Sequence, residues 1–292
     1  MRIVYYTPGV TGSGHIVQGI SIGNALLRNR VDAEYTILSS SPFAELADRF
    51  SMEHREIPLE GEKELSRENF SSSFLYKSLA ELEPEILLVD LSWYMIQRFI
   101  EELPCKKVLL SMQVSDAFFN VPLPSGRLTF DPGMYDHVLK TEPFDSSIIS
   151  EQINPIIIRN KEEILSREEA MAQLQVRGDK PVCLFGFNGT PGEFERTKKM
   201  YSYLEEEGYD MIYTTNYRGG LFPAVDYFNA VDLLICGAGY NAFWEAVYFE
   251  KETIFVPMRR RFEDQRRRVE ECLEYQFEEN GADQLVDIIY NL

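Results

Sequence analysis

Cysteine, histidine and long apolar runs are all scarce in this chain. Its 292 residues hold four cysteines, Cys105, Cys183, Cys236 and Cys272, far apart and without a C-x-x-C pair. That spacing argues against a disulfide framework or a cysteine metal site and suits a reducing cytoplasm. No apolar run reaches the ~18 residues that cross a bilayer. The apolar stretch of the N-terminal MRIVYYTPGV is too short for a signal peptide. Basic residues are outnumbered, and the formal net charge of −18 makes the chain a poor general binder of nucleic acid or anionic lipid. Internal repeats and low-complexity tracts are also missing, which argues against a solenoid or a disordered chain.

What is present is an alternation of strands and helices. Short apolar runs at Ile3–Tyr6, Glu34–Leu38, Glu85–Val89 and Lys107–Leu110 are separated by helical patterns, the clearest over Ile16–Leu27. Val121–Gly133, rich in Pro and Gly, reads as irregular, and His137–Thr141 as the last strand of the first half. The pattern then restarts. Ser166 caps a helix with Glu169 as its capping-box partner. Strands at Pro181–Phe187, Asp210–Thr214, Val231–Cys236 and Thr253–Pro257 alternate with helices at Glu193–Glu207 and Tyr240–Phe249. Such runs predict an α/β protein with parallel sheets covered by helices. The length fits two domains, with the boundary inside the Pro-containing segment 143–160.

The most informative stretch is DLLICGAGYNAFWEAVYFEKETIFVPMRRRFEDQ, residues 232–265. A strand ends in Gly237-Ala238-Gly239 and a helix begins at once. Glycines let a ligand approach the backbone, and a helix start offers N–H groups and a positive dipole end, which suits a diphosphate. The turn is expected at the carboxyl edge of a parallel sheet, where open α/β folds bind ligands. Glu245, one to two turns into that helix, can accept hydrogen bonds from two ribose hydroxyls. The plainer reading is a tight turn followed by a solvated Glu. Asn188-Gly189-Thr190 ends another strand of this half and reads as either a ligand loop or a turn. Near the N-terminus, Gly12-Ser13-Gly14-His15 links the first strand to the first helix. Asp90 closes the later strand EILLVD, a place where an Asp is often the N-cap of the next helix. His54 and His137 fall outside any motif.

These segments resemble the GT-B glycosyltransferases, in particular the bacterial N-acetylglucosaminyltransferase that forms lipid II and its relatives. The resemblance rests on Gly237-Ala238-Gly239, Asn241, Glu245, Ile254-Phe255-Val256-Pro257 and Asp264-Gln265, in order over about 35 residues, and on Gly12-Ser13-Gly14-His15. The Gly-His pair is also similar to the start of plant UDP-dependent glycosyltransferases. It implies two Rossmann-like domains with parallel sheets facing a central cleft. Residues 1–150 would be the acceptor domain and 151–292 the nucleotide-sugar donor domain. Gly239, Tyr240 and Asn241 would face the diphosphate, Glu245 the ribose, and Asp264 with Gln265 the donor sugar. His15 would be the general base, oriented by Asp90, with Gly12 and Gly14 of its turn among the ligand-binding residues. Asn188 and Gly189 would reach the diphosphate or the acceptor.

The implied reaction moves a sugar from a UDP-linked donor to an acceptor hydroxyl on a glycan, a lipid-linked molecule or a small molecule, with inversion. The D-x-D triplet that carries metal in the other main glycosyltransferase fold is absent, so no metal and no cofactor is expected. A nucleotide-sugar hydrolase of the same architecture and a binding or scaffold subunit are the alternatives. Only 27 residues follow Gln265, so the helix that crosses back to the first domain in this family is expected to be abbreviated. The six arginines of Met258–Arg268 read as a patch for a phosphate-bearing acceptor or an anionic membrane surface, as a solvated helix face with pairs Arg266–Glu270 and Arg267–Glu271, or, against the net charge, as a nucleic-acid contact. The expected location is cytoplasmic, with contact at the inner face of the membrane.

Overall fold

The structure, a computed structural model, describes every residue except Val10, Thr11, Ser125, Arg261 and Phe262, and describes only the backbone of Arg218. The chain forms two compact units, Met1–Ile156 with Glu279–Leu292, and Ile157–Glu278. The first boundary falls inside segment 143–160. The C-terminal segment belongs to the first unit, whereas the sequence assigned it to the second.

Unit 1 contains strands β1 (Arg2–Thr7), β2 (Glu34–Ser39), β3 (Glu53–Glu56), β4 (Ile86–Asp90), β5 (Lys106–Ser111), β6 (Asn120–Leu123), β7 (Gly126–Thr129), β8 (His137–Lys140) and β9 (Glu151–Gln152). Its early helices are α1 (Gly14–Arg28), α2 (Glu45–Asp48), α3 (Phe74–Leu82) and α4 (Trp93–Ile96). The main sheet runs β3-β2-β1-β4-β5-β8-β9, with parallel pairings throughout. β1 and β4 are buried almost end to end, the signature of strands covered on both faces. On one face an apolar core forms around Tyr6, Leu87, Val89, Trp93, Phe99 and Leu109. On the other lies α1, held by Tyr5 Oη donating to the His15 carbonyl at 2.9 Å and Tyr35 Oη to the Gly19 carbonyl at 2.7 Å.

Two local readings are corrected here, and one strand had no reading. The stretch read as irregular holds the antiparallel hairpin β6–β7, whose Pro and Gly hide its short alternation. β8 is not the last strand of the unit, because β9 pairs with it. β3, with sequence EHRE, has no apolar residue to announce it. It is an edge strand, where charge is tolerated and discourages further pairing.

Unit 2 contains β10 (Val182–Gly186), β11 (Asp210–Thr214), β12 (Leu233–Gly237) and β13 (Thr253–Val256), with α5 (Arg167–Leu174), α6 (Pro191–Tyr201), α7 (Tyr203–Glu206), α8 (Tyr240–Tyr248) and α9 (Gln265–Cys272). Its sheet is parallel, in the order β11-β10-β12-β13. α5 starts with the expected Ser166–Glu169 capping box. α6 uses the same device, with Thr190 and Glu193. The single helix expected over Glu193–Glu207 is two, because regular α-helix is interrupted at Ser202.

The last helix, α10 (Gly281–Tyr290), packs on α1 within unit 1. Arg28 and Asn29 at the end of α1 both donate to Asp283 Oδ1, at 2.8 and 2.7 Å. Gly281 starts the helix so close to the chain that an added Cβ would meet the Asn154 carbonyl oxygen at 1.7 Å.

Among the described residues no helix is long and apolar enough to cross a membrane.

Candidate functional site

In an open parallel sheet, ligands bind beyond the carboxyl ends of the strands where the strand order reverses. Unit 1 reverses between β1 and β4, and unit 2 between β10 and β12. The candidate residues cluster at these two places.

At the unit 1 edge, Gly12 takes a left-handed φ of +72°, which lets the chain turn from β1 into α1. Gly14 and His15 open α1. His15 Nδ1 lies 2.5 Å from Asp90 Oδ2 at the end of β4. Asp90 is 1% exposed, whereas the imidazole keeps about a quarter of its surface, 27%. Asp90 does not cap the next helix; Ser92 holds that place. A carboxylate on Nδ1 selects the tautomer with the proton there, so Nε2 is left as the proton acceptor. Among the described residues the other carboxylate oxygen, Asp90 Oδ1, is buried without a hydrogen-bond partner, as are Thr7 Oγ1 and both ends of the Gln18 amide. Thr7 and Asp90 follow the paired residues Tyr6 and Val89, so they stand side by side in the sheet. Sequence reading missed Thr7 and Gln18; their signal was polar residues at positions where strand and helix are otherwise apolar. The other two histidines have local partners, His54 with Ser39 at 2.9 Å and His137 with Glu151 at 2.8 Å.

At the unit 2 edge two strand–turn–helix units meet. After β10, Asn188 Oδ1 accepts from the Asn216 N–H at 2.7 Å and ties the turns after β10 and β11 together. Gly189 is fixed by packing: an added Cβ would sit 2.5 Å from the Phe187 ring and 2.7 Å from a Glu193 carboxylate oxygen. After β12 the glycines differ. Gly239, N-cap of α8, has an ordinary extended backbone, φ −65° and ψ 156°. Among the described residues, a Cβ there would come nearest to Gln265 Nε2, at 3.7 Å, and one on Gly237 nearest to the Phe187 ring, at 3.4 Å. Both are normal contacts, so the protein's own packing does not require either glycine. Tyr240 and Asn241 form the first turn of α8.

Glu245 is half-buried on α8. Burial first, and the nearby Asp226 carboxylate second, push its carboxyl pKa up to about 8. Asp226 is itself paired with Arg159 at 2.9 Å. No hydrogen bond or ion pair reaches the Glu245 carboxyl among the described residues, so it is an available polar group inside the fold rather than a solvated helix residue. Asp264 and Gln265 part company. Asp264 is exposed and caps α9 by accepting from Arg267 N–H at 3.1 Å. Gln265 is buried, accepts from Met258 N–H at 2.8 Å and donates to Glu263 at 3.0 Å beside the glycine turn.

The arginines of Met258–Arg268 do not act as one patch. Arg261 lies outside the described residues. Arg267 pairs with Glu271 at 2.7 Å; Arg266–Glu270 forms no such pair among the described residues. Arg260 makes a two-pronged bond to Glu193, at 2.8 and 3.1 Å. Arg268 is fully buried, and it donates to the Ala238 carbonyl at 2.9 Å and to the Glu263 carboxylate. Its guanidinium also lies 6.0 Å from the centre of the Tyr240 ring. It therefore braces the glycine turn from within the fold. Sequence reading missed that role. The available signal was the stripe Gln265, Arg268, Cys272 along α9, the residues that the helix buries. Among the described residues no group of three or more His, Cys, Asp or Glu side chains is arranged to hold a metal ion.

No protein-family model and no curated protein matches the sequence. Solved structures do match the fold. MurG of Acinetobacter baumannii is 12% identical with a TM-score of 0.52, over 99% of this chain and 90% of that one. The glycosyltransferase SsfS6 of Streptomyces sp. SF2575, complexed with thymidine diphosphate, is 12% identical with a TM-score of 0.58, over 89% and 82%. The spinosyn rhamnosyltransferase SpnG is 12% identical with a TM-score of 0.61, over 88% and 81%. Two units with parallel sheets and this likeness over most of each chain give the protein the GT-B fold of glycosyltransferases.

Proposed function

We propose that the protein is a glycosyltransferase that takes a sugar from a nucleoside-diphosphate donor held by unit 2. The observation that carries this reading is the pair Gly237 and Gly239. Neither is demanded by backbone angle or by neighbouring atoms, so what remains to explain them is clearance for a ligand at a helix start. A diphosphate matches such a place, because the first N–H groups of α8 and its dipole favour negative charge. Glu245, without a partner among the described residues, would take the ribose hydroxyls, and Gln265 the donor sugar. The base is a pyrimidine: resemblance to the lipid II enzyme gives uridine, and thymidine diphosphate is the ligand of SsfS6.

In this mechanism the acceptor hydroxyl gives its proton to His15 Nε2 while its oxygen attacks the anomeric carbon. The new C–O bond forms as the bond from that carbon to the diphosphate oxygen breaks. The nucleoside diphosphate leaves with the electron pair, stabilised by the α8 N-terminus, and the anomeric centre inverts. Asp90 holds the imidazole and stabilises it once charged. No metal takes part in this scheme.

Paired glycine variants test the donor site. Gly239→Ala should keep its melting temperature within a few degrees and lose about tenfold or more in UDP or dTDP affinity. Gly189→Ala should do the reverse, losing ~1–3 kcal/mol of stability through overpacking against Phe187 and Glu193. Calorimetric titration and urea unfolding read both. Unchanged nucleotide binding in Gly239→Ala would sink the reading. Product analysis with and without acceptor then separates sugar transfer from hydrolysis.

A further inference from the structure

The Arg260–Glu193 ion pair spans the donor edge. Glu193 lies in the first turn of α6, which follows β10, and Arg260 lies in the segment that follows β13. β12 stands between those two strands, which are therefore ~10 Å apart. The pair therefore joins the segments that follow the strands on either side of β12, whose end leads through Gly237 into the glycine turn. The Phe187 ring marks the same place, since it packs against both Gly189 and Gly237. A carboxylate and a guanidinium thus already meet where the diphosphate reading puts an anion.

The two partners are unequally held. Glu193 also accepts from the Thr190 N–H at 2.8 Å and sits at the positive end of α6, so it stays satisfied without the arginine. Arg260 is about one-third exposed, and its one other hydrogen bond among the described residues is to its neighbour's carbonyl, Arg259, at 3.2 Å. Its planar fork fits two phosphate oxygens as well as it fits a carboxylate, and a diphosphate brings more charge.

We infer that Arg260 is a latch on the donor site, leaving the Glu193 carboxylate for the diphosphate of the bound nucleotide and returning to it when the nucleoside diphosphate departs. This rests on the donor-site reading of unit 2. Protons do not open the latch in the working range: hydrogen bonding from Arg260 first, and then Thr190, hold the Glu193 carboxyl at about 2. An arriving anion must do it. Glu193 therefore competes with the ligand, and selectivity falls on anions that can outbid a carboxylate for both prongs of the guanidinium.

Calorimetric titrations of UDP, dTDP, uridine and thymidine into wild type, Arg260→Gln, Glu193→Gln and the double variant test this. Gln at position 193 keeps the capping box while removing the charge. Arg260→Gln should weaken the diphosphates about tenfold, and Glu193→Gln should tighten them about threefold. Neither should move the nucleosides, and the double variant should match Arg260→Gln. Arg260→Lys, which keeps the charge without the fork, should fall between wild type and Arg260→Gln. A Glu193→Gln protein that binds diphosphate more weakly, or an Arg260→Gln protein that binds it as tightly as wild type, overturns the latch and leaves the donor site standing. Wild type that binds neither diphosphate overturns both.

Discussion

The two sheet edges share a topology and differ in how they treat charge. At the unit 1 edge one carboxylate, Asp90, is buried with a half-buried histidine on one oxygen and, among the described residues, no partner on the other, beside the unpartnered Thr7 hydroxyl. At the unit 2 edge the charges are paired in place, Arg260 on Glu193 and Arg268 on Glu263. A titratable dyad with spare acceptor capacity is equipped to move a proton. A braced turn with spare room is equipped to hold an anion still. The same strand–turn–helix unit can serve either end, and side-chain pairing decides which.

The largest expected effect falls on unit 1. His15→Ala should lower sugar transfer by about 10²–10⁴-fold, the usual contribution of a positioned general base, with nucleotide affinity unchanged. Equal turnover in the variant would dissolve the contrast between a chemical edge and a binding edge. Next comes Arg268→Ala in unit 2. Losing this buried partner removes the Arg268 bond from the Ala238 carbonyl and leaves the Glu263 carboxylate with Gln265 but without its charged partner. Broken buried pairs cost ~3–5 kcal/mol, and because Glu263 keeps some solvent the expected loss is about 3 kcal/mol in urea unfolding. Nucleotide affinity should fall with it, since the glycine turn loses its brace. An Arg268→Ala protein as stable as wild type would show that the brace carries little.

A third effect concerns pH and is spread over several pH units. Glu245 has a folded pKa of about 8 against an ordinary value of 4.5. The sign follows from linkage: the raised group favours the folded state fully below pH 4.5, and that contribution is lost as pH rises through about 8. Wild type should therefore lose melting temperature relative to Glu245→Gln between those limits. For a chain of this size each kcal/mol is about 2–4 °C. Parallel melting curves from pH 5 to 8.5 would place the carboxyl elsewhere.

Legibility in the sequence followed distance along the chain. The run Leu233–Gly237, its glycine turn and α8 were readable because an apolar strand, a turn and a helix start are adjacent signals. The Ser166–Glu169 capping box was readable for the same reason. His15 and Asp90, 75 positions apart, were paired only through family resemblance, and the structure brings them together. Glu193 and Arg260, 67 positions apart, left no local trace. Nor did charge distinguish Arg268, which is buried, from Arg266 and Arg267 beside it, which are exposed. Non-local pairing of charged groups is the information that composition and periodicity do not carry.

The return of α10 to α1 sets an order on biosynthesis. Unit 2 is one continuous stretch, Ile157–Glu278, so every residue it needs has been translated before α10. Unit 1 is begun first and finished later, because the helix that covers the far side of the His15 helix is translated after unit 2. The unit that carries His15 is thus the one that waits for the ribosome, and a chain cut after Glu278 would be injured at its beginning.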